Sequence, residues 1–464
     1  MLKSVLYWIH QKRWLLFAAV LGLVLFLIPH PAGLSIEGYR TLVITVMVVI
    51  LIISEAVPLP GIALLIAILQ VIFAIAEPSE VARSYMSDAV FFIMGSLMLA
   101  VAIVRQGLDA RLTLVILNLT GTRVKTIMWG FFVISLFLAS FIGEHAVVAM
   151  LLPVALTLVR NSAEDPSEVP ELTKLLLFAV AFGSIIGSIG TPSGGARNAI
   201  MISYFSDFGL AEISYLRWMS LAYPLMLVQI PLAGWLLSRS FKPEKDRLDR
   251  AVDELKKKVA STGPLRGQQV LAIILFAIVF LLWVFLSDRI GLGVVALIGV
   301  FLYLVTGLVQ WQEINQRTNW GIVLLFAAAI SLGVQLKNTG AALWIAHQLI
   351  AVTGGLLEQV ALVQYSVVIF LTTAVVNIMG ASATVAVLGP LFLNFGGDPV
   401  LLGLTTAISS AFGYLTAVGA PAGMIIAATG LIRARDFVKV GWRFSLVSIV
   451  FLILALALYW PHIR

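Results

Sequence analysis

The chain has 464 residues, of which 61% are hydrophobic and only 11% are charged, and it contains no cysteine. Soluble proteins are roughly 25% charged, so this composition indicates an integral membrane protein, and the lack of cysteine excludes disulfides, thiolate metal sites and cysteine nucleophiles. The net charge of +7 is explained by basic loops on the cytoplasmic side of a membrane, so it does not indicate nucleic-acid binding.

The first apolar run, from Trp14 to Ile28, follows the cations Lys3, Lys12 and Arg13. No small-residue cleavage site follows Ile28, so we expect this run to remain as the first membrane span rather than to be removed as a signal peptide. The three cations favour a cytoplasmic N-terminus, because positive charge accumulates on that side of a membrane.

Apolar runs recur along the whole chain, and a helical span needs about 20 mostly apolar residues. We therefore predict an all-α integral membrane fold with about 11 transmembrane helices plus two re-entrant helical hairpins. Residues 1–240 are expected to form an N-terminal half with a hairpin near 141–160. Residues 269–464 are expected to form a C-terminal half with a hairpin near 378–395. An odd number of spans in each half would make them inverted repeats.

Residues 241–268 separate the halves and are rich in charged side chains. Within them Leu248, Val252 and Leu255 recur at helical spacing, which predicts a short amphipathic cytoplasmic helix. Its basic residues are explained by a solvated loop that sets the topology, with binding of anionic lipid as the alternative.

Two polar breaks rich in small residues interrupt the apolar sequence, one in each half. They extend from Ser140 to Val147 and from Asn377 to Thr384, and each is followed by an apolar run that reaches a proline. Interrupted apolar segments at corresponding places in two halves are the best sequence indication of a secondary transporter's binding site. A Gly-x-Pro element follows each break, at Gly190-Thr191-Pro192 and at Gly419-Ala420-Pro421.

Four segments resemble the divalent anion/sodium symporter family: Ser54–Pro60, Phe91–Arg111, Trp320–Gly340 and Arg433–Gly441. Their order, with two hairpins between them, identifies the chain as a member. The resemblance implies a homodimer of scaffold and transport domains that works by an elevator-like displacement. It also implies that the substrate is a small divalent anion, either a C4-dicarboxylate or citrate or a sulfate-like oxyanion.

Members of that family carry Ser-Asn-Thr at each hairpin tip and a Pro-Asn element on the next broken helix, which bind the anion and flank two sodium sites. In this chain the tips read Gly143-Glu144-His145 and Gly380-Ala381-Ser382, and the two Pro-Asn positions read Arg197-Asn198 and Ala422-Gly423. Because both sodium motifs are altered, we expect weak or no sodium dependence, with a proton or anion exchange as the driving step.

The adjacent pair Glu144 and His145 is the strongest chemical signal, because ionisable residues at membrane depth mark ion or proton pathways by default. We expect both to couple a proton, since histidine titrates near neutral pH. Alternatively, an imidazolium contacts the anion, or Glu144 forms a structural ion pair with Arg197. Arg197 itself is expected to bind the anion through two parallel hydrogen bonds, or else to neutralise Glu144.

The remaining candidate substrate-binding residues are uncharged and lie at the breaks or the elements after them. Hydroxyl groups in membrane helices often bond only the carbonyl four residues before, and glycines at the breaks either admit a close ligand or pack helices closely. No cofactor or metal site is expected. These residues are Gly143, Thr191, Pro192, Ser193, Asn198, Asn377, Gly380, Ser382, Thr384, Ala420 and Pro421.

These features predict a transporter of small divalent anions in the inner membrane, and not an enzyme or a channel. The five histidines are dispersed and no metalloprotease spacing is present, while paired breaks fit alternating access better than a pore. The alternative is a cation/proton antiporter or an arsenite-type carrier on the same fold. Arg197 argues against it, because a cation site beside a guanidinium is electrostatically poor.

Overall fold

The computed structural model describes residues 12–163, 168–260, 264–352 and 360–463. The N-terminal cation Lys3 and residues 261–263 of the linker lie outside them. Within the described residues the elements are helices and turns, and no strand is formed. Ten helical segments are long and apolar enough to cross a membrane, and five shorter helices are also apolar. The predicted all-α membrane fold is therefore confirmed.

The N-terminal half begins with α1, which at 15 residues is as long as the apolar run that predicted it and begins one residue earlier. Serine side chains start two of the later helices, because Ser35 accepts the Gly38 N–H and Ser214 accepts the Arg217 N–H. The helices are α1 (Arg13–Leu27), α2 (Ile36–Ser54), α3 (Leu59–Ile72), α4 (Pro78–Tyr85), α5 (Asp88–Arg105), α6 (Asp109–Thr120), α7 (Val124–Ile142), α8 (Glu144–Ser162), α9 (Pro170–Gly187), α10 (Ala196–Asp207) and α11 (Tyr215–Ser240).

The linker forms α12 (Asp249–Ala260). Leu248, Val252 and Leu255 are no more than 5% exposed, and α12 packs against α6 and α8, so these apolar side chains of the linker are buried against the bundle. The C-terminal half then contains α13 (Gly267–Ile290), α14 (Leu292–Val305), α15 (Trp311–Arg317), α16 (Trp320–Asn338), α17 (Ala341–Val352), α18 (Ala361–Met379), α19 (Ala381–Leu393), α20 (Pro399–Ser409), α21 (Pro421–Ala427) and α22 (Ala434–Leu454).

The helices α2 to α11 and α13 to α22 form two sets of ten in the same order. Helices α5 and α16 have 18 and 19 residues, α6 and α17 have 12 each, and α7 and α18 have 19 each. The sets also pack reciprocally, because α5 contacts α14 of the other set while α16 contacts α3. Later helices are shorter in the second set, with 13 residues in α19 against 19 in α8.

The linker distinguishes the two ends of the helical bundle. Gln269, near the start of α13, donates its side-chain N–H to the carbonyl of Gln106 just beyond α5, at 2.9 Å. Where α13 ends and α14 begins, the Gly293 N–H donates to the carboxylate of Asp88, the first residue of α5, at 3.0 Å. We call these two places the linker end and the far end. Helix α5 therefore runs from the far end to the linker end.

The equivalent helices α5 and α16 begin at opposite ends. Glu313 on α15, just before α16, forms an ion pair with Arg105 at the linker end of α5. At the other end of α16, the Lys337 ammonium donates to the carbonyl of Asp207, the last residue of α10. Helix α16 therefore runs from the linker end to the far end, opposite to α5.

Two helix pairs turn back inside the bundle, and the first pair opens at the linker end. Helices α7 and α8 are joined by Gly143. The Val124 N–H at the start of α7 donates to the carbonyl of Asp246 in the linker at 3.0 Å. The Lys245 ammonium donates to the carbonyl of Ser162 at the end of α8. Both open ends of this hairpin are thus attached to the linker, and its turn lies in the interior.

The second pair, α18 and α19, is joined by Gly380 and opens towards the far end. The Gln364 amide donates to the carbonyl of Phe395 at 2.8 Å, which ties the start of α18 to the end of α19. The Tyr204 hydroxyl, on the last turn of α10, donates to the carbonyl of Ala386 on α19 at 3.2 Å. Since α10 ends at the far end, the two hairpins approach the middle of the bundle from opposite directions.

The expected hairpin ranges, 141–160 and 378–395, contain the turns and the second arms, while the first arms begin earlier, with α7 and α18. A broken helix packs beside each hairpin. Helix α9 stops at Gly187 and α10 starts at Ala196, so residues 188–195 separate them, while residues 410–420 separate α20 from α21. A Cβ on Gly187 would lie 1.9 Å from the Leu136 carbonyl oxygen of α7, so only glycine allows this close approach of α9 to the first hairpin.

Candidate functional site

The first hairpin turn is held against the first broken helix by a threonine. The Thr191 hydroxyl donates to the carbonyl of Ser140, three residues before Gly143, and accepts the Gly194 N–H at 3.2 Å. Gly143 has φ +82° and ψ 153°, a combination that is essentially restricted to glycine. A Cβ there would lie 3.7 Å from the Gly194 carbonyl oxygen and 3.8 Å from that of Ser193. The turn therefore contacts the unwound segment backbone to backbone.

The second hairpin repeats this arrangement. The Thr416 hydroxyl donates to the carbonyl of Asn377, three residues before Gly380, at 2.7 Å and accepts the Gly419 N–H at 3.1 Å. Gly380 has φ +81° and ψ 162°, and a Cβ there would lie 3.3 Å from the Val418 carbonyl oxygen. Each half therefore contains a hairpin turn, a threonine clasp and an unwound segment, which we call a half-site.

These clasps correct the pairing of Gly190-Thr191-Pro192 with Gly419-Ala420-Pro421 suggested by the sequence. The equivalent elements are Thr191-x-x-Gly194 and Thr416-x-x-Gly419, because they make the same hydrogen bonds. Ala196 and Pro421 are the first residues of α10 and α21, so the same register pairs Arg197 with Ala422 and Asn198 with Gly423.

The half-sites differ at these last positions. The Asn198 amide donates to the carbonyls of Ser188 at 2.9 Å and Thr191 at 2.8 Å, so it holds the unwound segment in shape. Gly423 carries no side chain, and a Cβ added there would lie 2.9 Å from the Ala417 carbonyl oxygen. At this position the first half-site is therefore braced by a side chain, whereas the second has only backbone.

Arg197 and Glu144 form a buried ion pair with side chains only 2% and 5% exposed. The Arg197 Nη1 lies 3.5 Å from the Glu144 Oε1, which is longer than the roughly 2.7–2.9 Å of a strong charge-assisted hydrogen bond. The Arg197 Nη2 donates to the Ser188 hydroxyl at 2.6 Å. The Arg197 Nε and the Glu144 Oε2 have no hydrogen-bond partner within the described chain. Both groups can therefore bind another molecule.

Glu144 also connects the two half-sites. Its carboxylate lies next to the backbone N–H of Ala422, in the first turn of α21, and α21 packs against α8. Burial of an incompletely paired charge is costly, and ionisable residues at membrane depth usually have a function. The pair is therefore the chemical centre of the two half-sites.

A cavity of about 80 Å³ lies at this centre, smaller than the roughly 300–1,000 Å³ of pockets for drug-sized ligands. It lies between α5 and α16 on one side and the half-sites on the other. It brings together eight of the predicted site residues, six from the first half-site and two from the second: Gly143, Glu144, His145, Pro192, Ser193, Arg197, Ser382 and Pro421. The ring of His145 has no hydrogen-bond partner in the described part of the chain.

The other predicted site residues lie around the cavity without lining it. The Asn377 amide donates to the carbonyl of Thr373 at 2.7 Å and accepts the Leu415 N–H at 2.9 Å. Its side chain is therefore bonded to backbone groups, as the Asn198 side chain is. The Thr384 hydroxyl bonds the carbonyl of Gly380 four residues before, at 2.7 Å. Gly380 and Ala420 supply backbone only, and the Thr191 hydroxyl is used in its clasp.

Two residues near the centre were not predicted. Ser96 on α5 lines the cavity, and its hydroxyl has no hydrogen-bond partner in the described residues. Ser188 positions the Arg197 guanidinium. A lone serine within an apolar span is the only sequence signal for Ser96, and the contact of Ser188 with a residue nine positions later depends on the unwound segment.

Comparison with known proteins is consistent with these observations. The profile of the sodium:sulfate symporter transmembrane region matches residues 10–464. The chain belongs to this family. It is 28% identical to a sodium-dependent dicarboxylate transporter of Staphylococcus saprophyticus over 98% of this chain and 93% of that protein. It is 27% identical to a protein of the same name from Staphylococcus aureus over 96% of this chain and 91% of that one.

The fold is also similar to a solved structure, that of the Alcanivorax borkumensis YdaH transporter. The TM-score is 0.54 at 15% sequence identity, over 82% of this chain and 86% of that chain. The family match confirms the predicted resemblance, and it supports a multi-pass membrane transporter.

Proposed function

We propose that this member of the sodium:sulfate symporter family carries a small divalent anion, a C4-dicarboxylate or a sulfate-like oxyanion, across the inner membrane without converting it chemically. The observation that carries the proposal is the buried Arg197, whose guanidinium faces a compact cavity between two backbone half-sites. A guanidinium binds carboxylate or sulfate oxygens through parallel hydrogen bonds. The first turn of α10 adds backbone N–H groups beside it.

The charges at the cavity favour coupling to a proton. With Glu144 ionised, its carboxylate neutralises Arg197, and a dianion would meet a site without net positive charge. When Glu144 takes up a proton, Arg197 is released to the anion and the repulsion disappears. A proton on the neighbouring His145 would offset the second negative charge. We therefore propose that proton and anion enter the site together, or that one anion replaces another.

Sodium is the coupling ion in the names of the relatives. For this chain we propose a different coupling ion, because Arg197 and Glu144 occupy motif positions that flank a sodium site in the family. A resident guanidinium repels a second cation at close range. Weak or absent sodium dependence is the expected consequence.

The proposed movement is an elevator-like displacement in two inverted repeats. Helices α1 to α5 and α13 to α16 would form the scaffold, and α7 to α11 with α18 to α22 the transport domain. The opposite directions of α5 and α16 and of the two hairpins support the inverted repeats. The basic linker supports a cytoplasmic linker end with a cytoplasmic N-terminus, and the scaffold would be the contact surface of a homodimer.

The test is uptake into liposomes that contain the purified protein. Labelled succinate, malate and sulfate are offered with an inward proton gradient, with an inward sodium gradient, and with the unlabelled anion inside. We expect accumulation with the proton gradient or by exchange, and little response to sodium. Arg197→Ala should lower uptake by about 30-fold or more, because truncating one member of a buried charge pair costs about 2–5 kcal/mol.

The matched control is Arg435→Ala, which removes an exposed arginine and should leave uptake unchanged. Arg197→Lys keeps the charge but loses the parallel hydrogen bonds, so intermediate uptake is expected. Uptake by Arg197→Ala at the wild-type rate would remove Arg197 from the site. Steep activation by sodium, with no response to a proton gradient, would contradict the coupling proposal.

A further inference from the structure

Three cavities follow one face of α5 from the far end to the linker end. The first, of about 500 Å³, is lined by Asp88 and Phe92 among others. The central cavity also contacts Phe92 and continues to Ala100. The third, of about 340 Å³, contacts Ala100 and ends near Val104. The successive contacts are spaced about one helical turn apart, so a single face of α5 lines the whole series.

The central cavity communicates with these neighbours to different extents. It shares only Phe92 with the far-end cavity, and the Phe92 side chain is 1% exposed. With the linker-end cavity it shares five residues: Leu97, Ala100, His145, Ala146 and Ile322. The central site is therefore closed towards the far end by an aromatic ring and adjoins the linker-end cavity through His145.

The two outer cavities carry opposite charges. Four carboxylates line the far-end cavity: Asp88, Asp207, Glu212 and Asp288. Among the described residues of the linker-end cavity no carboxylate is present, and its charged lining residue is Arg317. Glu313, one turn before Arg317, is held by Arg105 and does not line the cavity. A dianion is thus repelled at one end and attracted at the other.

We propose that Arg317, Thr318 and the first turn of α16 form a second, weaker binding site for the transported anion in the linker-end cavity. Helix α16 has 19 residues and starts at this cavity, so the positive end of its dipole favours an anion, although the Asn319 side chain already accepts the Ile322 N–H. The independent observation is Thr318, which lines the cavity, is 5% exposed, and has a hydroxyl without a hydrogen-bond partner in the described chain.

The shape of this cavity indicates how the anion is held. Its walls are the apolar side chains of α5, α8 and α21, while the polar groups are concentrated at the start of α16. One charged end of a dianion would face Arg317 and Thr318, and the other would face His145 and the central site. The second site therefore holds the anion one step before or after Arg197. This inference rests on the proposed function, because it concerns the same anion.

The test compares transport from the two sides. Initial rates of succinate and sulfate uptake are measured in right-side-out and in inside-out membrane vesicles. Arg317→Gln should raise the KM from the linker side by about two- to fivefold, which is the change in affinity expected from losing an exposed ion pair. The KM from the far side should not change. Thr318→Val, which keeps the volume, should raise the same KM about twofold or more. Arg317→Lys should remain close to wild type.

Arg435→Ala is the matched control at the linker end, because Arg435 is exposed and lines none of the three cavities. If Arg317→Gln changes neither KM while Arg197→Ala still abolishes transport, the second site is wrong and the proposed function stands. Equal changes from both sides would also overturn the second site, because they indicate an effect on the central cavity. Absence of anion transport by the wild type would overturn the proposed function itself.

Discussion

The chain makes the same hydrogen bonds around Thr191 and around Thr416, but the side chains beside them differ. In both half-sites the threonine donates to the residue three positions before the hairpin glycine and accepts the N–H of a glycine three positions later. The first half-site adds Glu144 and Arg197, whereas the second has alanine at the position equivalent to Arg197. The two half-sites therefore share the same backbone hydrogen bonds, and only the first contains charged side chains.

This difference separates the two tasks of a binding site. The paired backbones bring two hairpin turns and two unwound segments to the middle of the bundle, where an anion can meet N–H groups from both. Selectivity for an anion needs a charged group and coupling to a proton needs a titratable one. Only the first half-site has such groups, Arg197 and Glu144. We therefore interpret the second half-site as a wall of the cavity and the first as the ion-binding part.

Apart from the loss expected for Arg197→Ala, the largest effect is expected when the carboxylate of the first half-site is replaced without a change of shape. Glu144→Gln keeps the side-chain volume but cannot exchange a proton, and it leaves Arg197 permanently free. Uptake should then lose its response to a proton gradient, a change of about tenfold or more in the gradient-driven rate, while exchange of one anion for another continues. The measurement is uptake with and without the gradient in liposomes.

Glu254→Gln is the control for Glu144→Gln, since Glu254 forms an exposed pair with Arg250 on the linker helix. It should leave the gradient response intact. A Glu144→Gln protein that still accumulates anions against their gradient, driven by protons, would contradict the role given to Glu144.

The fold could be predicted well from sequence because apolar runs and glycine breaks are local signals. The segments Phe91–Arg111 and Trp320–Gly340, which contain most of α5 and α16, were recognised by their resemblance to the family, and the linker helix was visible in its leucine and valine spacing. The breaks at Gly143 and Gly380 were found for the same reason. A local pattern is enough when the feature depends on neighbours in sequence.

The details of the half-sites could not be predicted, because they depend on contacts between distant residues. The sequence suggested that the two Gly-x-Pro elements are equivalent because both contain proline. The elements that are equivalent in the structure are identified instead by the threonine clasps, such as the Thr191 hydroxyl bonding the carbonyl of Ser140, 51 positions away. Asn377 was predicted as a ligand from its place at the start of the second break, but its amide bonds the backbone of residues 35 and 38 positions later. Hydrogen bonds of this kind become visible only when the unwound segments are folded.

An intermediate effect is expected at the hairpin turns, where the half-sites should behave alike. Gly143→Ala and Gly380→Ala each force a side chain into a conformation restricted to glycine, at a cost of about 1–3 kcal/mol. Gly380→Ala should be the more harmful, since its Cβ would lie 3.3 Å from a carbonyl oxygen, against 3.7 Å at Gly143. The measurement is the thermal unfolding midpoint of the protein in detergent.

Gly267→Ala provides a matched control, because a Cβ there has open space around it and its φ lies outside the range that disfavours side chains. It should leave the midpoint unchanged or raise it slightly. If one turn tolerated alanine as well as Gly267 does and the other did not, the two turns would not be equivalent backbone elements.

The smallest effect is expected at Ser382, the polar side chain that the second hairpin contributes to the central cavity. Its hydroxyl has no hydrogen-bond partner within the described chain, so it can bond the anion, but only as a neutral group. Ser382→Ala should raise the KM by about two- to tenfold, the value of one neutral hydrogen bond, and leave the maximal rate unchanged. Ser366→Ala, at a half-buried serine that bonds its own helix and lines none of the three cavities, should change nothing. A loss as large as that of Arg197→Ala would mean that the second half-site also carries the selectivity, because a wall of the cavity can lose a hydroxyl without losing transport.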